Sequence, residues 1–305
     1  MSQESFDPGL TQQYGGSVRR FINKDGTFNV HRTGARFQDW NLYLYLVSIP
    51  WLRFIALVFL AYLLTNLIFA SILYSIGVQH LQGADSSTPA RAFLSAFFFS
   101  THTLTTVGYG NIYPNNIGTN SVAALEALIG LLGFAVATGL LVGRVSRPSA
   151  RIAFSEKLLI APYQGGSSLQ FRIANQRSNS LMELEAKVLL MTVDSTADGL
   201  KRDYHVLHLE RSSIYFFPLT WTVVHPIDHR SPLSGMTAAD FERLQLEVLI
   251  LIKGFDETFS QSVHARSSYR YDEVIWNAGF APAFHVDPQG DMVLQVDRVG
   301  LLREP

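Results

Sequence analysis

Two long apolar runs constrain the fold of this chain more than any other feature. The first run, Phe54–Gln79, has no acidic or basic side chain, and the second, Gly118–Gly143, has only Glu126. A helix of about 20 predominantly apolar residues crosses the hydrocarbon core of a bilayer, and both runs exceed that length. The sequence therefore predicts two membrane-spanning helices, at about residues 51–78 and about residues 117–144.

A shorter apolar stretch, at about residues 92–105, lies between the two runs and leads into a glycine-containing loop at residues 106–110. The stretch is too short to span a bilayer but long enough for a re-entrant pore helix. Irregular backbone at membrane depth is tolerated only where it is buried in protein or lines a water-filled path. The loop is therefore expected to line a pore.

The loop has the sequence Thr106-Val107-Gly108-Tyr109-Gly110, which is the motif of a potassium selectivity filter,. Backbone carbonyl oxygens of such a loop replace the water around a K⁺ ion, and we place K⁺ at Thr106, Val107, Gly108 and Tyr109. Gly108 and Gly110 tolerate the left-handed dihedrals that turn successive carbonyls toward one axis. One chain supplies only a quarter of each ring of oxygens, so the loop predicts a homotetramer.

The second apolar run carries a stripe on one helical face: Phe134, Thr138 and Val142 recur at i, i+4 and i+8,. We interpret this stripe as the lining and gate of the inner pore, where apolar side chains close a path by dewetting. The alternative is a face that packs against lipid or another helix. Glu126 and Gly130 are assigned to the same lining, because a carboxylate inside a membrane generally faces a cavity or a partner. The glycine permits a hinge or close packing.

The N-terminal part predicts the topology. Residues 1–36 are polar and are expected to form a flexible cytoplasmic segment, and no apolar region of a cleavable signal peptide is present,. Their basic residues place both termini in the cytoplasm of a multi-pass protein of the cell (inner) membrane. Residues 37–49 predict an amphipathic helix in the interface plane, ended by Pro50. The alternative is that they form the first turns of the spanning helix.

From about residue 151 the apolar period changes from helical to two, which predicts a C-terminal antiparallel β-sandwich over residues 151–305. The overall fold class is thus membrane α, with two spanning helices and a pore helix, followed by an all-β domain. A short helix is predicted at Thr237–Leu244, which begins with a capping threonine. The predicted strands are Ser168–Ala174, Leu181–Asp194, Tyr204–Glu210, Leu244–Lys253, Tyr269–Trp276 and Met292–Val296.

Composition narrows the classes of function. The net charge of −1 argues against nucleic-acid binding, and the absence of cysteine excludes disulfides and thiolate metal sites,. His205 and His208 would point to opposite faces of a strand, so no metal site is expected there. Neither a Ser/His/Asp nor a paired-carboxylate arrangement occurs at interpretable spacing. The sequence therefore predicts no enzyme and no cofactor, with K⁺ as the permeant ion.

Four stretches together resemble the inward-rectifier potassium channels, particularly their prokaryotic members. They are the filter at 106–110, Arg147-Pro148 at the exit of the second span, Thr222–Asp228 and Ala265–Trp276. The two cytoplasmic stretches are more specific than the filter, which all potassium channels share. The resemblance implies a tetramer of two-span subunits with a slide helix. It also implies an immunoglobulin-like cytoplasmic domain that continues the pore, and gating by anionic phospholipids.

The resemblance also assigns roles to individual residues. It implies a cytoplasmic constriction at the loop just before Ala265, at about Ser262, Val263 and His264, with Ala265 included in the constriction. It implies a lipid-headgroup cluster formed by three arginines: Arg144, Arg147 and Arg151. Arginine binds phosphate through a bidentate fork, so the chemistry fits. The alternative for the arginines is simple flanking charge under the positive-inside rule.

The sequence departs from the family pattern near the pore. Phe134 stands where strong rectifiers carry an acidic residue, which predicts weak or absent rectification, with Glu126 as the only candidate substitute. His102 and Ile112 stand where animal members usually pair a glutamate with an arginine behind the filter. Because histidine titrates near neutral pH, His102 is a candidate pH sensor; the alternative is a neutral, hydrogen-bonded histidine.

Two other functions remain open at this stage. A potassium channel of another gating class is disfavoured, since no span carries spaced arginines of a voltage sensor. A membrane-anchored ligand-sensing protein would use the β-sandwich for binding, with the pore vestigial. Rb⁺ flux that is blocked by Ba²⁺ favours the channel, and no flux across several lipids favours the sensor.

Overall fold

The computed structural model describes residues 8–10, 13–14, 20–31, 33–34, 41–146, 150–196 and 199–303. The chain divides into two compact units. The membrane unit spans residues 34–147, and the β unit combines residues 1–33 with residues 148–305.

Four helices build the membrane unit: α1 Leu42–Ser48, α2 Trp51–Ile76, α3 Pro89–Leu104 and α4 Ile117–Val145. Within the described residues, α2 and α4 are the two helices long and apolar enough to cross a membrane. Both agree with the predicted spans to within two residues at each end.

Caps explain where the two long helices begin and end. Pro50 occupies the position before α2, where its missing N–H costs nothing, and Gly77 ends the helix with a φ of 117°,. At the start of α4 the Asn116 side chain accepts the Thr119 N–H at 2.7 Å,. These local signals bracket the apolar runs, so the sequence predicts the spans closely.

The predicted pore helix, α3, has 16 residues, about 24 Å at the rise of an α-helix, which is too short to cross a core of about 30 Å. It begins at Pro89, before the predicted residue 92, because Thr88 caps it by accepting the Arg91 N–H at 3.3 Å,. Its apolar face packs against α2 in a buried cluster that includes Ala70, Leu73, Ala96 and Phe99. The cluster fixes α3 beside the first span.

The short helix α1 is separate from α2. The Asn41 side chain caps it by accepting the Leu44 N–H at 3.0 Å,. Ile49 has extended dihedrals and Pro50 follows, so helical hydrogen bonding does not continue into α2. Residues 37–40 of the predicted interfacial helix lie outside the described residues.

The described strands range from two to 16 residues and pair mostly in antiparallel fashion. In chain order they are β1 Gln13–Tyr14, β2 Leu81–Gln82, β3 Tyr113–Pro114, β4 Ile152–Phe154, β5 Leu158–Tyr163, β6 Gly166–Asn175, β7 Leu181–Thr196, β8 Gly199–Val206, β9 Ser213–Phe216, β10 Thr220–Ile227, β11 Glu247–Asp256, β12 Gln261–Arg270, β13 Val274–Trp276, β14 Phe284–Val286 and β15 Met292–Leu294. The strands β2 and β3 pair in the membrane unit, and the others belong to the β unit.

Two sheets form the body of the β unit. One has the order β1-β8-β7-β11-β12 with β9 added beside β7, and the other has the order β10-β6-β5-β13 with β4 beside β6. Only the pairing of β13 with β5 is parallel among those described. Alternate residues of β6, β7 and β11 fill a common core, for example Phe171, Leu190 and Ile250,. The predicted all-β domain is therefore confirmed as a two-sheet structure.

A bulge shifts the alternation of buried side chains along β7. Leu184, Ala186, Val188 and Leu190 are buried as the alternation predicts, but Leu181 enters the core in place of Met182. The cause is Glu183, whose φ is 50° and next to which the register with β11 shifts. One extra residue in one strand reverses the faces beyond it.

Most strand predictions have a counterpart, although several are displaced. The predictions at 168–174, 181–194, 244–253 and 292–296 overlap β6, β7, β11 and β15. The prediction at 204–210 meets only the end of β8, because pairing with β7 holds its polar residues from 199 onward in the strand. The short helix forms at Ala238–Arg243, where Thr237 and Asp240 make a capping box,.

The N-terminal segment corrects one expectation. Residues 20–31 were expected to belong to a flexible tail, yet Ile22 is buried and its carbonyl accepts the Ser268 hydroxyl at 2.7 Å. The Phe21 N–H donates to the buried Glu247 carboxyl at 3.2 Å. Part of the N-terminal segment is thus packed on the β unit.

Candidate functional site

The filter loop alternates between two backbone conformations. Thr106, Gly108 and Gly110 have φ values of 60°, 55° and 79°, whereas Val107 and Tyr109 do not have positive φ. This alternation turns successive carbonyl groups toward one side. The left-handed conformation of Gly108 and Gly110 agrees with the expectation from the sequence. Thr106 adopts it as well, although a residue with a Cβ pays about 1–2 kcal/mol in the left-handed region,.

Hydrogen bonds to the end of α3 hold the loop. The Thr106 N–H donates to the Thr103 carbonyl at 3.0 Å, and the N–H groups of Val107 and Gly108 donate to the His102 carbonyl at 2.9 and 3.3 Å. Within the described part of the chain, no donor is bonded to the carbonyl oxygens of residues 106–110. The loop therefore anchors through its N–H groups and leaves its oxygens available for an ion.

The His102 side chain lies behind the filter. Its ring meets the Tyr109 ring edge-on, with the centroids 4.8 Å apart and the planes at 89°. Tyr109 is thereby held from the side of the pore helix. The contact places His102 where a change of charge would reach the filter.

Glu126 is not on the pore stripe. Its side chain is 0% exposed within a single subunit. The Ser100 hydroxyl, on α3, is hydrogen-bonded to the Glu126 carboxyl and lies 3.2 Å from the Asn66 Oδ1 on α2. A side chain that is buried inside one subunit cannot line a path between subunits, so the expectation for Glu126 is wrong. Asn66, Ser100 and Glu126 are called the buried triad below.

Gly130 is likewise a packing residue. A Cβ at this position would lie 2.1 Å from the carbonyl oxygen of Leu104, at the end of α3. The expectation that Gly130 lines the pore is therefore also wrong, and close helix packing is the reason for the glycine. At Gly133, by contrast, a Cβ would meet nothing within 4 Å.

The remaining stripe residues stay open to the outside of the subunit. Phe134 is 74% exposed, and Thr138 and Val142 are also exposed. This exposure is compatible with a pore face and with a face that meets lipid or another subunit. The assignment of these three residues to the inner pore stays a prediction.

Arg144 has an unexpected set of partners. Its guanidinium donates to the backbone carbonyls of Leu46 and Ile49, the latter at 2.7 Å, and lies over the rings of Trp51 and Phe54 at 4.7 and 4.5 Å. The last carbonyls of a helix lack intrahelical partners, so Arg144 caps α1 from α4. A single sequence gives no signal for such a contact.

The other two arginines of the predicted cluster are placed differently. Arg147 lies outside the described residues, and Arg151 is exposed just before β4. Arg151 is therefore accessible to an anionic group, and the lipid role of all three stays a prediction.

The predicted cytoplasmic constriction is part of a strand. Val263, His264 and Ala265 lie in β12, opposite Gly254, Lys253 and Ile252 of β11. Val263 is 4% exposed and belongs to the sandwich core, so the expectation for this residue is wrong. His264 is exposed and Ala265 half-buried, and both remain candidates. The turn before the strand spans residues 257–260.

Comparison with known proteins agrees with this geometry. Residues 152–301 match the model of the inward rectifier potassium channel C-terminal domain, and residues 57–147 match an ion channel model. The inward rectifier potassium channel Kirbac3.1 of Paramagnetospirillum magnetotacticum is 37% identical over 92% of this chain and 94% of its own length. The chain belongs to the inward rectifier potassium channel family.

Animal members of the inward rectifier family match more distantly. G protein-activated inward rectifier potassium channel 3 of Mus musculus is 29% identical over 92% of this chain and 77% of its own length, and the Homo sapiens protein gives the same values. Among solved structures, the sporulation control protein Spo0M of Bacillus subtilis aligns over 44% of this chain and 51% of its own with a TM-score of 0.25 and 13% identity, which carries no argument.

Two departures from the inward rectifier pattern are visible in the structure. At the two positions where the charge pair is missing from the sequence, His102 contacts Tyr109 and Ile112 packs beside the apolar cluster of α2 and α3. Phe134 keeps the predicted stripe position without a charge, and Glu126 is buried elsewhere. Neither side chain thus supplies a charge to the exposed face of α4.

Proposed function

We propose that four copies of this chain form a passive, potassium-selective channel in the cell membrane. The observation that carries the proposal is the filter loop, in which left-handed residues alternate and the carbonyl oxygens have no donor within the described subunit. Such oxygens replace the hydration shell of K⁺ when four loops meet around one axis, at Thr106, Val107, Gly108 and Tyr109. Membership of the inward rectifier family supports the same conclusion.

The direct test is ion flux through purified protein in liposomes. Tetramers should take up Rb⁺, Ba²⁺ should block the uptake, and Na⁺ should compete poorly. A Gly110→Ala variant should lose selective flux, because alanine is strained at a φ of 79°,. A stably monomeric protein, or equal passage of Na⁺ and K⁺, contradicts the proposal. Tetramers without flux in several lipids would favour a membrane-anchored ligand sensor instead.

We further propose that anionic phospholipids gate the channel at the membrane–cytoplasm boundary. Arg151 is exposed, and Arg147 follows the end of α4 in the sequence; a guanidinium binds phosphate through paired hydrogen bonds,. Arg144 contributes in another way, by holding the end of α1. The basic residues on these flanks favour a cytoplasmic location of both termini. Rb⁺ flux across a panel of anionic lipids tests the gating and shows its sign.

The inner pore and its gate are assigned to Phe134, Thr138 and Val142, with His264 and Ala265 as a cytoplasmic constriction. Apolar rings at Phe134 and Val142 would close the path by dewetting. Because the stripe carries no acidic residue and Glu126 is buried, polyamines should block weakly. Current–voltage curves with and without internal spermine test this, and strong block would contradict the assignment.

A further inference from the structure

The buried triad connects three helices at one point of the membrane unit. Asn66 lies on α2, Ser100 on α3 and Glu126 on α4, and all three side chains are 0% exposed. The Ser100 hydroxyl is hydrogen-bonded to the Glu126 carboxyl and is 3.2 Å from the Asn66 Oδ1 and 3.3 Å from the Asn66 carbonyl. One hydroxyl thus lies within hydrogen-bond distance of acceptors on both spans, and its single proton is donated to one of them at a time,.

This use of a hydroxyl is unusual within the same unit. Ser71 and Ser75 on α2 donate to carbonyls of their own helix at 2.7 Å. On α3, the hydroxyls of Thr103 and Thr105 also bond carbonyls one turn earlier in their own helix. Such bonds leave the packing of helices unchanged. Ser100 instead reaches two other helices.

Stability alone does not account for the carboxyl group of Glu126. Its Oε2 atom has no hydrogen-bond partner among the described residues, although the side chain is buried. A buried polar group that is only partly satisfied costs free energy, and an apolar residue of similar size would usually be more stable there. Its place at this position is better explained by a geometric requirement than by stabilisation.

The triad lies one helical turn from the filter support. Ser100 and Leu104 are four residues apart on α3, as Glu126 and Gly130 are on α4, and Gly130 lies against the Leu104 carbonyl. The two helices therefore run side by side along the last turn of α3. That turn carries His102, whose carbonyl accepts the filter N–H groups. A shift of α3 against α4 is transmitted directly to the filter.

We propose that Asn66, Ser100 and Glu126 are positioning residues for ion selection, which hold the last turn of the pore helix so that the filter keeps its carbonyl geometry. The inference rests on the proposed channel function and adds these three residues to its machinery. They touch no ion themselves. Loosening the triad should change which ions pass and how tightly Ba²⁺ binds, before it changes whether the tetramer forms.

The experiment compares reconstituted tetramers of the wild type, of five single variants and of one double variant, Ser100→Ala/Glu126→Leu. Ser100→Ala and Glu126→Leu remove the shared hydrogen bond, Ser100→Cys keeps the volume with a weak donor, and Glu126→Gln keeps an acceptor oxygen. Ser71→Ala is the matched control, since it deletes a hydroxyl that bonds only its own helix. The readouts are the ratio of Rb⁺ to Na⁺ flux, the Ba²⁺ concentration for half-block, and the tetramer fraction.

We expect Ser100→Ala and Glu126→Leu each to lower the flux ratio and weaken Ba²⁺ block about tenfold, the effect of one lost hydrogen bond. Ser100→Cys should show a smaller loss, whereas Glu126→Gln and Ser71→Ala should stay within about twofold of the wild type. The double variant Ser100→Ala/Glu126→Leu should be no worse than either single variant, because both remove one interaction.

Wild-type ratios in tetramers of Ser100→Ala and Glu126→Leu overturn the inference, as does a fully additive double variant. If these variants fail to assemble, Ser100→Cys decides in the same way, because its packing is conserved. A wild type that carries no Rb⁺ contradicts the channel function itself, which distinguishes that failure from a failure of the triad.

Discussion

The two units of the chain differ in where their apolar side chains go. In the β unit, Leu184, Leu190 and Ile252 are completely buried within one chain. In the membrane unit, Leu52 and Ile117 are 81% and 89% exposed. The β unit therefore builds a core of its own, whereas the membrane unit leaves apolar surface for lipid and, in the proposed tetramer, for neighbouring subunits.

The units also differ in what a polar side chain does. In the β unit polar groups connect distant segments: the Tyr269 hydroxyl donates to the Ser155 carbonyl and Arg172 donates to the Ala281 carbonyl, both at 2.6 Å. In the membrane unit most described hydroxyls bond their own helix. Ser95 and Thr119 also bond residues outside their own helix, and the Ser100 hydroxyl and the Arg144 guanidinium reach other α-helices. Apolar burial thus stabilises the β unit, while close backbone approach and a few polar bonds set the geometry of the membrane unit.

The largest expected effect comes from Gly130→Ala. The added Cβ would lie 2.1 Å from the Leu104 carbonyl oxygen, so α4 must move away from α3. We expect a cost above about 3 kcal/mol, with loss of the tetramer and of Rb⁺ flux. Gly133→Ala is the control, since nothing lies within 4 Å of its Cβ. Size-exclusion chromatography and flux measure both, and equal behaviour of the two variants would contradict close packing at Gly130.

Leu190→Ala probes the core of the β unit. Removing a fully buried leucine should lower the free energy of unfolding by about 3 kcal/mol,. Leu52→Ala removes the same atoms from an exposed site of the membrane unit and should cost less than about 0.5 kcal/mol. Thermal unfolding of the full chain in detergent compares the two. A similar loss at Leu52 would remove the distinction between the units.

Arg144→Lys tests whether a polar bond sets helix position in the membrane unit. Lysine keeps the charge but lacks the fork that reaches the carbonyls of Leu46 and Ile49,. We expect a loss of about 2 kcal/mol, since hydrogen bonds to a charged group are broken. Arg53→Gln, at an exposed position of α2, should leave the melting temperature nearly unchanged. Full recovery with lysine would show that charge alone acts at residue 144.

The smallest expected effect is a pH dependence of the β unit. Burial lowers the pKa of His225 below its ordinary value of 6.5. The ring nitrogens contact the His208 carbonyl at 2.6 Å and the Ser231 hydroxyl at 2.8 Å. Below pH 6.5 the His225 side chain binds a proton in the unfolded chain but not in the folded chain. The free energy of unfolding therefore decreases as the pH is lowered, until the pH reaches the pKa of His225 in the folded chain. The slope is at most about 1.4 kcal/mol per pH unit.

His225→Gln should remove this part of the dependence between about pH 7 and pH 5, a range set by the ordinary pKa of histidine. The exposed His229→Gln is the control and should keep the wild-type profile. Melting temperatures across that range provide the measurement. An unchanged slope in His225→Gln would show that another group titrates.

Much of the fold follows from periodicity in the sequence. Long apolar runs mark α2 and α4. Alternation of apolar and polar residues marks β6, β7 and β11, because burial of one face of a strand requires that pattern. The bulge at Glu183 and the bounds of β8 cannot be predicted from periodicity. Both depend on pairing with a partner strand, which no local pattern encodes.

Some residues of the candidate site are predicted from the sequence, and others are not. The sequence of the filter predicts the left-handed conformation of its two glycines. The left-handed conformation of Thr106 accompanies hydrogen bonds to the end of α3, which the sequence does not reveal. The prediction that Glu126 lines the pore is wrong because a carboxyl group on an apolar helix indicates that it has a partner, but not which partner. The buried triad cannot be predicted from the sequence, because Asn66 and Ser100 lie far from Glu126 in the chain and come together only in the folded structure.

The alternating backbone of the filter has an electrostatic consequence. Residues of opposite hand in succession align their carbonyl dipoles, and parallel dipoles side by side repel one another. A cation between the carbonyl groups relieves this repulsion, so the permeant ion acts as a counterion of the backbone. By mass action, K⁺ should then be a ligand that holds the channel together as well as its cargo.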